Sequence, residues 1–181
     1  PVCATPLERV ERDGRARPVC PACGFVQYRN PVVGVAAILF ERDIARILGP
    51  EAILAAGGMP PDPDAGRVLM VRRAATYKGT YCFPCGYVEF DEEAREAIRR
   101  EAEEETGLAI EPGPVFAVHS NVHDPDMQSV GIWFHARPIG GMLRPGDDAD
   151  ALVFVRPRAP GVPLAFPTDA LVLTELAAQT D

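Results

Sequence analysis

The stretch GYVEFDEEAREAIRREAEEETGL, Gly86–Leu108, places four glutamates within residues 101–105. Its pattern predicts a helix from about Asp91 to Thr106. Gly107 follows at once and ends the predicted helix, because glycine accepts the left-handed backbone of a helix C-cap. The glutamates therefore lie in the last turns of the helix, where the helix dipole disfavours negative charge.

Three of these glutamates share one helix face, because Glu101, Glu104 and Glu105 are spaced i, i+3 and i+4. Like charges at this spacing destabilise an isolated helix. A hard divalent cation would remove the repulsion, since Mg²⁺ and Mn²⁺ take carboxylate oxygens and bridge to phosphates. The alternative is a solvated acidic face with Arg95, Arg99 and Arg100 as ion-pair partners. Helix charge alone leaves both interpretations open.

The spacing of the whole stretch is more specific than its charge. Gly86 is followed by five residues and Glu92, and then by seven residues and the run REAEEETGL, residues 100–108. This arrangement resembles the Nudix box, G-x5-E-x7-R-E-U-x-E-E-x-G-U, in which U is an aliphatic residue. Every fixed glycine and charged position is filled, and only Ala102 is small for its aliphatic site.

The resemblance covers most of the chain. The N-terminal cysteines, GTYCFPCGYVEF and LAFPTDALVL are similar to the Nudix branch with an N-terminal zinc ribbon, especially the plant-type FAD and ADP-ribose pyrophosphatases. The resemblance implies an α/β (α+β) Nudix fold, with a mixed β-sheet sandwiched between helices and a small zinc-ribbon module before it. It is weakest over residues 41–65, which we interpret as an insertion in place of a short hairpin.

The resemblance implies hydrolysis of the pyrophosphate bond in a nucleoside diphosphate linked to another group. By motif position, the metal ligands would be Glu101, Glu104 and Glu105, together with the backbone oxygen of Cys85. Mg²⁺ would be the physiological ion, and Mn²⁺ could substitute for it. The metals would neutralise charge on the phosphate oxygens.

Two further roles in the catalytic set are implied for box residues. Arg100 would pair with carboxylates such as Glu92 and hold Glu101 in place. Glu101 or another carboxylate, from a loop, would orient or deprotonate the attacking water.

The implied substrate is a small-molecule nucleotide of the dinucleotide or ADP-ribose type, such as FAD, ADP-ribose or NADH. The alternative within the family is a nucleoside triphosphate or a nucleotide sugar. The alternative outside enzymes is a non-catalytic nucleotide-binding module. The intact cluster of carboxylates counts against that module, since a site that has lost catalysis does not need them.

Substrate contacts are predicted at several positions outside the box, because aromatic rings can hold a nucleobase or a flavin and an acidic loop can add a ligand. The predicted positions are Tyr81, Phe83, His123, Asp150 and Phe166. Trp133 is a further ring candidate. Core packing is the alternative for each ring, and a solvent-exposed acidic turn is the alternative for Asp150.

The first 30 residues are predicted to form a separate module, followed by the hydrolase domain over residues 31–181. So short a segment cannot bury a core of its own and needs a crosslink such as a bound metal ion. Cys20-Pro-Ala-Cys23 is a zinc-knuckle pattern. A ribbon pairs two such knuckles. The partner of Cys3 would stand just before Pro1, so we expect the natural chain to begin further upstream. The prediction is a structural Zn²⁺ on Cys3, Cys20 and Cys23 in the full-length protein. The alternatives are three unrelated thiols, or a site that truncation has left without metal.

A second C-x-x-C pair, Cys82 and Cys85, lies just before the box. Such a pair is typical of a redox dithiol or of half a zinc site. In the family these positions take small residues, so we interpret both cysteines as small-residue substitutions.

Composition limits the partners. The chain has 181 residues and a net charge of −8, which argues against binding to nucleic-acid backbone. Neither a long apolar run nor an apolar leader is seen, so no membrane partner and a cytoplasmic location are expected. Because family members are often dimers, a homodimer is a further expectation.

Apolar runs predict the strands. The predicted strands are Val32–Phe40, Arg67–Ala74, Pro114–Val122, Met127–Pro138 and Asp150–Pro157. The stretch PTDALVLTELAAQ, residues 167–179, is predicted to close the chain as a helix, with Thr168 as its cap and Pro167 before it. In the segment 41–65, DIARILGPEAILAA allows a short strand or a helix, and the remainder is loop by composition.

Overall fold

The computed structural model describes residues 3–62 and 66–179. The chain forms two compact units, Pro1–Pro31 and Val32–Asp181, and each is described by itself.

The N-terminal unit is built on a hairpin. Strand β1 (Glu8–Arg12) pairs antiparallel with β2 (Arg15–Val19). Asp13 and Gly14 connect them with φ values of 53° and 70°, as a two-residue hairpin turn requires. Most of the hairpin is exposed, whereas Cys20, directly after β2, is buried.

The larger unit contains a four-stranded and a three-stranded sheet among the described residues. The first has the strand order β6-β3-β8-β7 and the second β5-β4-β9. The strands are β3 (Val32–Ile38), β4 (Val68–Arg73), β5 (Tyr81–Cys82), β6 (Cys85–Tyr87), β7 (Leu108–Asn121), β8 (Ser129–Gly141) and β9 (Ala149–Val155). The helices are α1 (Glu41–Leu48), α2 (Pro50–Ala55), α3 (Ala94–Thr106) and α4 (Pro167–Gln179).

The four-stranded sheet is mixed, because β3 runs parallel to β8 and antiparallel to β6. Both faces of β3 are covered. Val35 and Ala37 pack with residues of α3, whereas Ala36 and Ile38 pack with residues of α4. Burial on both faces explains why β3 is a continuous apolar run. The predicted mixed α+β architecture, with a sheet between helices, is confirmed.

The box helix begins later than predicted. Asp91 has φ 66°, a left-handed backbone that cannot belong to the helix. The side chain of Glu93 instead accepts a hydrogen bond from the backbone N–H of Arg95 at 2.7 Å and caps α3. The predicted end is confirmed, since Gly107 is the C-cap with φ 69°.

Strand β7 is longer than predicted and begins directly after α3, at Leu108. Pro112 and Pro114 lie within this strand. At this segment the register of the pairing between β7 and β8 shifts. Such irregularities are how strands accommodate proline.

The segment 41–65 forms helices α1 and α2 rather than a strand. Residues 63–65 lie outside the described residues. Ile44 and Ile53 are fully buried and belong to the cluster that contains Leu69 and Ile98. This segment therefore contributes side chains to the main core. Within the described residues, none of the helices is both long enough and apolar enough to cross a bilayer.

Truncating the core residues of α1 and α2 tests this role. Ile44→Ala and Ile53→Ala should each lower the free energy of unfolding by about 2 to 5 kcal/mol, because each leaves a cavity. Leu54→Ala is the control, since Leu54 is 50% exposed, and should cost less than about 1 kcal/mol. Urea unfolding measures all three. Equal midpoints for the isoleucine variants and Leu54→Ala would contradict the core assignment.

Candidate active site

A cavity of about 460 Å³ lies among β3, β6, β8 and α3 and the segment that enters α4. Carboxylates line it from several separate parts of the chain, including Glu89 and Asp124. Glu101 and Glu105 come from α3, Asp147 and Asp148 from the loop before β9, and Asp169 from α4.

Glu105 ties α3 to the edge strand of the sheet. Its carboxylate Oε2 accepts a hydrogen bond from the backbone N–H of Cys85 at 2.8 Å. The side chain is almost fully buried. Burial, reinforced by the nearby Cys82, raises the pKa of Glu105 to about 10. A buried carboxyl with so high a pKa needs either a proton or a cation to offset its charge.

Glu101 lies directly against Gly86. A Cβ atom on Gly86 would stand 2.0 Å from the Glu101 carboxylate, so only glycine permits this approach. Burial raises the pKa of Glu101, and the adjacent Arg100 guanidinium opposes that rise. The Glu101 carboxylate thus occupies the space that a side chain at residue 86 would fill.

Arg100 organises the carboxylates around it. Its Nε and Nη2 donate to the two oxygens of Glu92 at 2.8 and 2.9 Å. Its Nη1 donates to Glu101 Oε1 at 2.7 Å and to Glu104 Oε2 at 3.1 Å. The bidentate pair with Arg100 lowers the pKa of Glu92 to about 2. Arg100 therefore orients two box glutamates while Glu92 restrains the guanidinium.

The acidic loop is fastened to the C-terminal end of α3. The N–H groups of Met142, Arg144 and Gly146 donate to the carbonyls of residues 107, 106 and 105 at 2.9, 3.0 and 3.1 Å. These bonds satisfy carbonyls that a helix end leaves without partners. They also bring Asp147 and Asp148 to the glutamates of α3.

The predicted substrate residues divide into two groups. His123 and Phe166 line the cavity. Tyr81, Phe83 and Asp150 are not among its described lining residues. Phe83 is buried in the core and Tyr81 packs against the same cluster. Asp150 forms a surface ion pair with Arg72 at 2.6 Å, so the acidic loop presents its two earlier aspartates to the cavity.

The box residues also differ in position. Glu101 and Glu105 line the cavity, together with Cys85 and Gly86. Glu104 is 46% exposed and is held by Arg100. Glu92 stays within the ion-pair network behind Glu101.

Sequence reasoning missed Arg73, Tyr77 and Asp169, all of which line the cavity. Arg73 donates to Asp148 Oδ2 at 3.2 Å, and its guanidinium lies 5.6 Å from the Phe166 ring centre. The available signal for Asp169 was a carboxylate in the first turn of an otherwise apolar helix. Arg73 offered no such signal, because its partners are far away in sequence.

The two cysteine groups differ in surroundings. Cys82 Sγ and Cys85 Sγ lie 3.8 Å apart beside the carboxylates. In the N-terminal unit, the sulfurs of Cys3, Cys20 and Cys23 all lie within 4.8 Å of one another. Hydrogen bonding with Thr5 lowers the pKa of Cys3 to about 7, which favours its thiolate. Despite a hydrogen bond from the Phe25 backbone, the pKa of Cys23 is raised, because interactions with Cys20 and Cys3 outweigh that bond.

A family model and several known proteins match parts of the chain. The NUDIX domain model matches residues 53–174. ADP-ribose pyrophosphatase of Methanocaldococcus jannaschii is 37% identical over 94 residues, which are 51% of this chain and 56% of that protein. The 8-oxo-dGDP phosphatase NUDT18 of Mus musculus is 35% identical over 120 residues, which are 64% of this chain and 36% of that protein.

Solved structures share the fold. A NUDIX hydrolase from Nitrosomonas europaea has a TM-score of 0.64 and 24% identity, and the match covers 92% of this chain and 81% of that one. The chain spans only about half the length of the archaeal relative and about a third of the mouse one.

Neutralising Glu105 should stabilise the protein without metal. The unfolded state releases this proton near the ordinary pKa of 4.5, whereas the folded state holds it until about 10. Stability therefore falls as pH rises through this window, by about 1.4 kcal/mol per unit for one proton. Glu105→Gln removes this loss and keeps an oxygen for the Cys85 N–H.

The measurement is chemical unfolding of both proteins in EDTA at pH 6 and pH 8. The advantage of Glu105→Gln should be larger at pH 8. Other buried acids are common to both proteins and cancel in the difference. Parallel pH curves would show that Glu105 titrates normally.

Proposed function

The chain belongs to the Nudix family, and we propose that it is a metal-dependent pyrophosphohydrolase acting on a nucleoside diphosphate linked to another group. The observation that carries this proposal is the convergence of Glu101, Glu105, Asp147 and Asp148 on one cavity of nucleotide size. Packing of the fold does not by itself require these four carboxylates to share one cavity.

The residues of the cavity fit a hard divalent cation. Nudix hydrolases generally use Mg²⁺ or Mn²⁺, and clustered carboxylate oxygens suit both. Glu101, Glu104 and Glu105 would hold the metal with the backbone oxygen of Cys85. When bound, the metal would neutralise charge on the pyrophosphate and lower the pKa of a bound water.

The protein's own groups have separate tasks in this proposal. The Cys85 N–H holds Glu105 at a fixed position, and Arg100 holds Glu101 and Glu104. Asp147 and Asp148 replace Asp150 as the loop carboxylates, and one of them or Glu101 orients the attacking water. Arg73 stands beside Asp148 and is placed to pair with a phosphate oxygen.

The preferred substrates are ADP-ribose and related dinucleotides, including FAD and NADH. The 37% identity with an ADP-ribose pyrophosphatase supports this choice. An oxidised purine nucleoside diphosphate is the second candidate, because mouse and human relatives named 8-oxo-dGDP phosphatases are 35% and 36% identical. Nucleoside triphosphates and nucleotide sugars remain the broader alternative. The homodimer, the cytoplasmic location and the domain boundary at residues 30 and 31 stay predictions.

A substrate panel tests the activity. With Mg²⁺, ADP-ribose should yield AMP and ribose 5-phosphate, as detected by chromatography. FAD, NADH, 8-oxo-dGDP, nucleotide sugars and triphosphates complete the panel. Turnover of 8-oxo-dGDP alone would favour the second candidate. If no compound is cleaved by a protein shown to bind Mg²⁺, the enzyme proposal fails.

Isosteric variants test the metal ligands. Glu101→Gln and Glu104→Gln should each lower kcat at least roughly a hundredfold, because each removes a charge that holds the metal. Glu103→Gln is the matched control, since Glu103 belongs to the same helix but is not among the ion-pair partners of Arg100 in the described residues, which are Glu92, Glu101 and Glu104. It should keep full activity. Wild-type rates for Glu104→Gln would remove Glu104 from the ligand set.

We propose as well that the N-terminal thiols hold a structural zinc ion. Zinc takes thiolates at tetrahedral sites, and Cys3, Cys20 and Cys23 already lie within 4.8 Å of one another. A structural ion would stabilise a hairpin that has little apolar surface to bury.

Zinc content tests this site. The purified chain should hold about one zinc per molecule, measured by elemental analysis after removal of free metal. Cys20→Ser should lower that ratio, whereas Cys82→Ser should leave it unchanged. Zinc that is lost only with Cys82 would assign the ion to the other C-x-x-C pair.

A further inference from the structure

The C-x-x-C pair before the box contributes two sulfur atoms that have no task in the proposed function. Cys82 Sγ and Cys85 Sγ lie 3.8 Å apart, which is contact distance. Cys82 is fully buried, whereas Cys85 is partly exposed and lines the cavity. A small molecule in the cavity can therefore reach the Cys85 thiol, and the Cys82 thiol lies directly behind it.

The backbone fixes both ends of this pair. Cys82 belongs to β5, which pairs with β4 of the three-stranded sheet. Cys85 belongs to β6, which pairs with β3 of the four-stranded sheet. Between them the Pro84 carbonyl accepts a hydrogen bond from the Ala37 N–H at 2.9 Å. The turn from one sheet to the other thus holds the two sulfurs close together.

A cation contacts the buried thiol. Nη1 of Arg73 donates to Cys82 Sγ at 3.7 Å, and Nη2 of the same group donates to Asp148 Oδ2 at 3.2 Å. A guanidinium beside a sulfur favours the thiolate, which is the form that attacks a disulfide. A cysteine that only fills space behaves as a small hydrophobe and needs no such neighbour.

We propose that Cys82 and Cys85 are a redox-sensitive modification site. A small disulfide such as glutathione disulfide oxidises the pair to an intramolecular disulfide bond, which displaces the Cys85 backbone from Glu105 and impairs the carboxylate site. The oxidation is independent of the proposed function, and only its effect on hydrolysis rests on that function.

The reaction is two thiol–disulfide exchanges. The Cys85 thiolate attacks one sulfur of glutathione disulfide and breaks its S–S bond. The glutathione that leaves takes up the proton that Cys85 lost. The Cys82 sulfur then attacks the Cys85 sulfur, and the second glutathione leaves with the proton of Cys82. The two cysteines lose two electrons and two protons, and the small disulfide becomes two thiols.

The new bond acts on the site through the backbone. An S–S bond is about 2.0 Å long, so sulfurs that lie 3.8 Å apart must come closer by almost half. The Cys85 N–H holds the Glu105 carboxylate at 2.8 Å, and a shift of Cys85 disturbs that bond. Loss of such a supporting contact typically lowers metal affinity or activity by about ten- to a hundredfold.

Peptide mass spectrometry tests the oxidation. The purified protein is equilibrated with glutathione and glutathione disulfide at several ratios, and free thiols are then alkylated. Both cysteines lie in one tryptic peptide, residues 79–95. A form of this peptide that has lost two hydrogens and takes up no alkyl group should accumulate as glutathione disulfide increases. Dithiothreitol should restore the alkylated form. Because no turnover is needed, an inactive protein still answers this question.

Single serine variants test the order of the two exchanges. Cys82→Ser should stop at the first step and carry one glutathione on Cys85. Cys85→Ser should carry none on Cys82, because Cys82 is buried. Glutathione on Cys82 of Cys85→Ser, with none on Cys85 of Cys82→Ser, would overturn this order.

The effect on the site is measured on fully reduced and fully oxidised protein. Hydrogen exchange of the Cys85 amide, followed by NMR, should be at least roughly tenfold faster after oxidation, since its bond to Glu105 is disturbed. Affinity for Mg²⁺, measured by calorimetry, and the rate of hydrolysis should each fall by about tenfold or more. All three should recover with dithiothreitol.

Two results would overturn the proposal. One is the absence of the oxidised 79–95 peptide at every glutathione ratio. The other is an oxidised protein in which exchange of the Cys85 amide and affinity for Mg²⁺ are both unchanged. The N-terminal cysteines are mapped in the same digest, so a loss that follows their oxidation instead would also contradict it. Failure of the proposed function differs from all of these, because it leaves the peptide and the amide exchange as predicted.

Discussion

The hydrogen bond from the Cys85 N–H to the buried carboxylate of Glu105 joins the box helix to the edge of the sheet. It fixes α3 beside the edge strand, where the Glu101 carboxylate lies against Gly86 in the space that a Cβ would occupy. It also explains why the importance of Cys85 lies in its backbone. Its sulfur lies near Cys82, whereas its N–H holds a carboxylate that would otherwise be buried without a partner.

Acidic side chains are concentrated at this site, although their burial and mutual repulsion destabilise the folded protein. Burial raises the pKa values of Glu101, Glu105 and Asp169, and the acidic loop is bonded through its backbone to the carbonyls at the end of the same helix. Such an arrangement costs stability in the protein without metal, because like charges and desolvation both disfavour it. Active sites often retain features that reduce stability. A cation at the carboxylates would offset the cost.

The cavity has two chemically different sides. On the α3 side, carboxylates and Arg100 suit metal and phosphate chemistry. On the α4 side, the rings of Tyr77, His123 and Phe166 form an aromatic wall. Arg73 links the two, because it contacts both Asp148 and the Phe166 ring. This division follows from the sheet, whose central strand β3 turns alternate residues toward α3 and toward α4.

The sequence by itself determined the helical box, its Gly107 end, the family and the presence of α4, because these depend on local spacing and periodicity. It left residues 41–55 undecided between strand and helix, since a short apolar run fits either until its burial is known. Only the tertiary structure decided that Phe83 and Tyr81 pack in the core, that Asp150 pairs with Arg72 away from the cavity, and that Arg73 and Asp169 enter it. The physical reason is that a side chain's neighbours across a sheet or loop are distant in sequence, and no local pattern records them.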